Sequence, residues 1–185
     1  MNLQSRFWLP LLLLGLLPPA WGASRPAEVL RDIHARRDTG QSVRVEGAPD
    51  RVRIGRDSLR FTVTTDRDGY LYVLMAGSDG RQLTQLLPNA EDVDNRIQAG
   101  KPLTLPRSTW RFRAAGPAGE DRLLVMLSPE PRDFSHLLTG QSGPFPAIEP
   151  HSLRTRGITI SQDIAGCAGT TCGYGAALFS VREDP

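Results

Sequence analysis

From residue 43 onward the apolar side chains recur at every second position, the period of an extended strand with one buried and one wet face. Leu59, Phe61 and Val63 alternate with Arg60, Thr62 and Thr64, and Trp110 and Phe112 alternate with Arg111 and Arg113. Two runs, residues 70–76 and 123–127, are apolar on both faces, and these read as central strands covered on both sides. Glycine and proline, 18 and 15 residues of 185, fall between the alternating segments. Many short strands separated by such turns predict a mainly β chain, a single-domain β-sandwich of immunoglobulin-like or distorted-barrel form. No helix follows the strands in a way that would build parallel βαβ units.

The turns can be placed with some detail. Asp66-Arg67-Asp68-Gly69 reverses the chain, and Gly77-Ser78-Asp79-Gly80 is hairpin chemistry between residues 70–76 and a returning strand at 82–87. Leu103 and Leu105 mark a short strand, Asp133 caps one helical turn through Leu138, and residues 141–150, rich in Gly and Pro, read as a loop. Ile158 and Ile160 predict a late strand, and Ala177, Phe179 and Val181 the last one.

The start of the chain has a different pattern. Arg6 precedes an apolar run at residues 7–17, and small residues follow at Ala20, Gly22 and Ala23. This is the layout of a secretory signal peptide over residues 1–22, with cleavage expected between Gly22 and Ala23. The run is short of the roughly 20 residues a spanning helix needs. An exported, periplasmic protein without stable membrane insertion is therefore expected. Residues 23–42 form a leader in which Ser24 caps a short helix carrying Pro26 in its first turn, with Val29, Leu30 and Ile33 on one face. Residues 43–185 then form the β domain. Such a chain buries roughly 70% of its unfolded surface. The formal net charge is +2, of which the signal peptide's Arg6 takes one; a balance so near zero argues against capture of nucleic acid or anionic lipid.

The two cysteines, Cys167 and Cys172, stand close together. In an oxidising compartment such a pair forms a structural disulfide, and so small a loop contributes roughly 2 kcal/mol. His34, His136 and His151 are scattered, so neither a metal site nor a cofactor is expected.

The order of motifs carries a resemblance. Residues 69–74 read Gly-Tyr-Leu-Tyr-Val-Leu and are followed by Ser78-Asp79-Gly80 and Leu86-Leu87-Pro88-Asn89. Next come Asp94-Asn95-Arg96-Ile97, Gly116-Pro117-Ala118-Gly119, Pro131-Arg132-Asp133-Phe134 and Tyr174-Gly175-Ala176-Ala177. Over about residues 43–182 this order resembles an uncharacterised bacterial domain family of unknown function. Its members occur alone behind a signal peptide or fused to serine/threonine kinase or caspase-like modules, some near type VI secretion genes. The resemblance implies an envelope or signalling context and supplies no catalytic residue.

Four clusters stand out as candidate sites, each with a plain structural alternative. Glu91, Asp92, Asp94 and Asn95 are the densest set of hard oxygen ligands, and Asp92, Asp94, Asn95 and Arg96 make the first candidate binding loop. It lacks the Asp-x-Asp-x-Asp-Gly pattern of a calcium loop, and Asp and Asn also stabilise solvated turns. Arg51/Arg53 and Arg111/Arg113 could together grip an anion, or simply keep a sheet face wet. Tyr70, Tyr72 and Trp110 could form an aromatic platform, or pack in the core. Ser135-His136 lies outside any Gly-x-Ser-x-Gly elbow. These readings favour a non-enzymatic periplasmic binding or accessory module that recognises a protein or cell-envelope component, with a possible type VI secretion link. The alternatives are a hydrolase acting on peptidoglycan or peptides, with His136 or His151 as base, and a structural subunit that joins a partner by β-strand addition.

Overall fold

The computed structural model describes residues 25–107, 110–148, 163–164, 166 and 173–185. The signal-peptide, disulfide, His151 and 158–160 strand expectations lie outside these residues.

The chain begins with α1 (Pro26–Ala35) and continues through β1 (Val43–Glu46), β2 (Arg51–Arg53), β3 (Ser58–Leu59), β4 (Phe61–Thr65), β5 (Gly69–Ala76), β6 (Leu83–Leu87), β7 (Arg96–Ile97) and β8 (Leu103–Leu105). Then follow β9 (Phe112–Arg113), β10 (Gly119–Ser128), β11 (Gly140–Ser142), β12 (Phe145–Ile148) and β13 (Gly175–Asp184). The large sheet has the order β11-β12-β6-β5-β10-β13-β2, with β7 added to the start of β5. Only the β13–β2 pairing in it is parallel. A second sheet, β1-β4-β8, lies across one face, and β3 with β9 forms a two-stranded ribbon. The sheets remain open, so the architecture is a sandwich and not a barrel.

The expected double-faced strands sit at the centre of the large sheet, where β10 pairs with β5 on one side and β13 on the other. Leu71, Val73, Leu123, Val125 and Leu127 point toward the second sheet and meet Phe61, Val63 and Leu105. Tyr72, Leu74, Leu124 and Met126 point the opposite way and are covered by Val29, Leu30 and Ile33 of α1. All three helix residues are fully buried, so the apolar stripe of α1 closes the second core and is part of the domain. Tyr174 joins that closure by donating its hydroxyl to the Ile33 carbonyl.

Two local expectations need correction. The N-cap of α1 is Arg25, not Ser24; the Arg25 amide donates to Glu28 at 3.1 Å, which satisfies the helix entry without a hydroxyl. Residues 141–150 are not a loop throughout. Through Ile148 they complete the hairpin of β11 and β12, turning at Gly143 with φ +60°. Pro146 is tolerated because β12 joins β6 only through Ala147 and Ile148. Among the described residues no helix is long and apolar enough to cross a membrane.

Replacing Ile33 with Ala should cost about 2–5 kcal/mol of unfolding free energy. Urea titration followed by far-UV circular dichroism should show one transition moved to lower denaturant. An unchanged midpoint would mean that α1 is peripheral.

Candidate functional site

The acidic loop is built around an inward-facing carboxylate. Asn89 starts it, its side-chain oxygen accepting the amides of Glu91 and Asp92 at 2.7 and 2.9 Å. Asp92 is only 7% exposed. One of its oxygens pairs with the Arg107 guanidinium and the other accepts the Trp110 indole N–H at 3.0 Å. Asp94 folds back on the Arg96 amide, and the Asn95 carbonyl accepts the Leu71 amide. Arg96 itself rests over Tyr70, 5.5 Å from the ring centroid, and donates to the tyrosine hydroxyl. The loop's Asp92 and Arg96 are thus engaged within the protein, and among the described residues no group of three acids, histidines or cysteines is arranged to hold a metal ion. Outward the loop presents Glu91, Asp94 and the apolar Val93, which is 76% exposed.

The other candidates separate. Arg51 and Arg53 lie on β2, in ion pairs with Asp184 and Asp57, while Arg113 lies on β9 in the small ribbon, so the two arginine pairs do not share a sheet. Tyr72 is buried on the α1 side and Trp110 on the opposite side, which dissolves the aromatic platform. Ser135 and His136 are exposed on the turn after Asp133, whose carboxylate accepts the Ser135 amide at 2.8 Å.

A cleft of about 400 Å³ opens where β5 ends and β10 begins, on the side of the second sheet. Phe112 and Phe145 line it; Phe145, at the start of β12, meets Phe112 edge to face at a centroid distance of 6.1 Å and the buried Trp110 at 5.6 Å. Arg111 and Arg113 line one wall. Asp121 of β10 and Glu183 of β13 line another, and both are at least nine-tenths buried. They occupy the same sheet face because Asp121 pairs with Val181, two residues from Glu183.

Two turns hold this acid pair. The Ser78 amide donates to Asp121 at 2.8 Å, and the Gly116 amide donates to Glu183 at 2.6 Å. The Ser78 hydroxyl also donates to the Pro117 carbonyl at 2.7 Å, which ties the turns together. Glycine is needed for this approach: Gly116 has φ +76°, and a Cβ on Gly119 would stand 2.6 Å from that of Ser78. Burial pushes the Asp121 carboxyl up to about 7, opposed by the Ser78 N–H and reinforced by the charge and hydrogen bond of Glu183, then by Asp79. The Glu183 charge near it thus favours the protonated form of the buried Asp121.

Sequence reasoning missed this pair. Asp121 reads as a solvated residue before an apolar run, and Glu183 as part of a charged tail. The available signal was indirect: Ser78-Asp79-Gly80 and Gly116-Pro117-Ala118-Gly119, two motifs of the family resemblance, converge on the carboxyls. Residues 51–131 match the family model described as a domain of unknown function (DUF4384). The resemblance to an uncharacterised domain family therefore holds, over a shorter span than 43–182. Asp121 falls inside the matched segment and Glu183 outside it. No curated protein matches the chain.

Asp92→Ala should destabilise the fold by about 3 kcal/mol, because it leaves the Arg107 charge and the Trp110 N–H without their partner. Chemical denaturation checks the size of the loss. The pKa of Asp121 lies above its unfolded value, so its stabilising contribution is complete below about pH 4 and is lost as pH rises through 7. His34, pushed down by burial and by Arg37, acts in the opposite sense. Comparison with Asp121→Asn isolates the acid pair: melting temperatures from pH 4 to 8 should decline more steeply in the native protein than in the variant. Parallel curves would show that Asp121 is ionised throughout.

Proposed function

We propose that this chain is an exported, non-enzymatic binding module that recognises a protein or cell-envelope component through the cleft at the β9 end of the sandwich. The observation that carries the reading is the cleft's lining. Its volume is within the range of ligand sites, and it combines aromatic side chains with charged groups of both signs held on strands and braced turns. The amino-terminal signal layout supports a periplasmic location, and the family resemblance supports an envelope context, including a type VI secretion link. The short outer strands of the large sheet support the cleft over β-strand addition. β11 and β2 have three residues each, and β2 carries Arg51 and Arg53.

The acid pair gives no independent support to the hydrolase alternative. His136, a base that alternative would use, is exposed on the turn after Asp133 and is not among the residues lining the cleft.

Site-specific photocrosslinking in cells tests the proposal. A photoreactive residue at Arg113 or Ser142 should yield a discrete adduct with an envelope component, and one at Arg51, on the far edge strand, should not. Adducts from Arg51 alone would move the interface to the sheet edge, and their absence at all three positions would contradict the binding reading.

A further inference from the structure

We propose that the cleft binds a whole zwitterionic dipeptide: its ammonium against Asp121 and Glu183, its carboxylate against Arg111 and Arg113, and an apolar side chain on Phe112 and Phe145. The inference rests on the cleft being the recognition site and specifies what that site takes.

The argument begins with charges that the protein leaves uncompensated. Among the described residues Arg111 and Arg113 have no ion-pair partner, although Asp121 and Glu183 line the same cleft. Arg51 and Arg122 pair with Asp184 and Glu120, while Arg44, Arg56 and Arg60, like Arg111 and Arg113, form no ion pair among the described residues. Opposite charges placed on one cleft without neutralising each other are complementary to a ligand that carries both. Guanidinium groups suit a carboxylate because they offer parallel N–H donors.

The carboxyl wall has the matching property. Each acid keeps one oxygen on a backbone amide, Ser78 for Asp121 and Gly116 for Glu183, so the pair is held in place whether or not it carries a proton. An ammonium group can donate to the remaining oxygen of each acid. It also neutralises the second negative charge that burial otherwise disfavours. Binding therefore displaces the Asp121 proton to solvent: the carboxyl O–H bond breaks, water or buffer takes the proton, an N⁺–H···O⁻ contact takes its place, and no other covalent bond changes. The other groups lining the cleft are compatible with this exchange. Asp79 adds negative charge from the β5–β6 turn, Arg111 and Arg113 add positive charge, and the β11–β12 turn brings only Ser142, Gly143 and Pro144. Phe112 and Phe145 are only half-buried, which leaves ring surface for an apolar side chain.

The test is calorimetric titration with the dipeptide Ala-Phe, its N-acetyl form and its C-terminal amide. The free dipeptide should saturate the protein, and each blocked form should bind at least about tenfold more weakly. Titrations in buffers of different ionisation heat should show close to one proton released at pH 6 and net proton uptake at pH 8.5, where the α-amino group of the free dipeptide is largely neutral and must be protonated to bind. Asp121→Asn, which keeps the pair's shape, should abolish the release and the preference for a free ammonium. Arg111→Ala with Arg113→Ala should abolish the preference for a free carboxylate. Equal binding of the blocked and free forms, or no saturation up to about 10 mM dipeptide, would overturn the peptide assignment. Crosslinking through Arg113 that persists after such a failure would leave the cleft as an interface for some other ligand, whereas loss of both would remove the site itself.

Discussion

The central strand β10 has no face to give to water. Between Leu123 and Leu127 each side chain is fully or almost fully buried, odd residues toward the second sheet and even residues toward α1. An amphipathic sheet needs one cover, but this one needs two, and both are supplied by neighbouring parts of the chain. The helix contributes three fully buried residues on one side, and the β1-β4-β8 sheet contributes Phe61, Val63 and Leu105 on the other. At roughly 25 cal/mol per Å² of apolar surface, removal of either cover would expose far more than the marginal stability of a domain this size can absorb.

The candidate site follows from where that covering stops. Along β10 the apolar run begins at Leu123, and the residue two positions earlier on the same face is Asp121. Along β13, Val181 is the last apolar residue on that face and Glu183 comes next. The two strands therefore bring a carboxyl each to the end of the core, inside the protein rather than beyond it. The turns at Ser78 and Gly116 supply an amide to each acid, and the close approach of their backbones depends on Gly119. A polar cluster at the rim of a rigid, fully packed sheet can hold its geometry without contributing to the core.

Much of the fold was legible because it depends on local pattern. Tyr70 to Ala76 and Leu123 to Leu127 betray their central position by being apolar at consecutive residues, and Val29, Leu30 and Ile33 define a helical stripe. The β11–β12 hairpin was not legible, since Pro144 and Pro146 suggest a loop when the partner strand is unknown. The candidate site depends on distance in sequence. Asp92 resembles a turn residue until Arg107 and Trp110, 15 and 18 residues away, close over it. Asp121 and Glu183 are further apart still, and nothing near either residue announces the other. Sequence patterns report which side of a strand is buried; they do not report which two polar ends a sheet will place together.

Amide hydrogen exchange followed by mass spectrometry tests the two-sided burial most directly. Peptides spanning residues 71–76, 122–127 and 29–33 should exchange together and only through global unfolding, well after those covering the cleft turns at 77–80 and 142–145. Fast, independent exchange of residues 29–33 with slow exchange of the strands would contradict it, because the sheet would then be stable with one face uncovered.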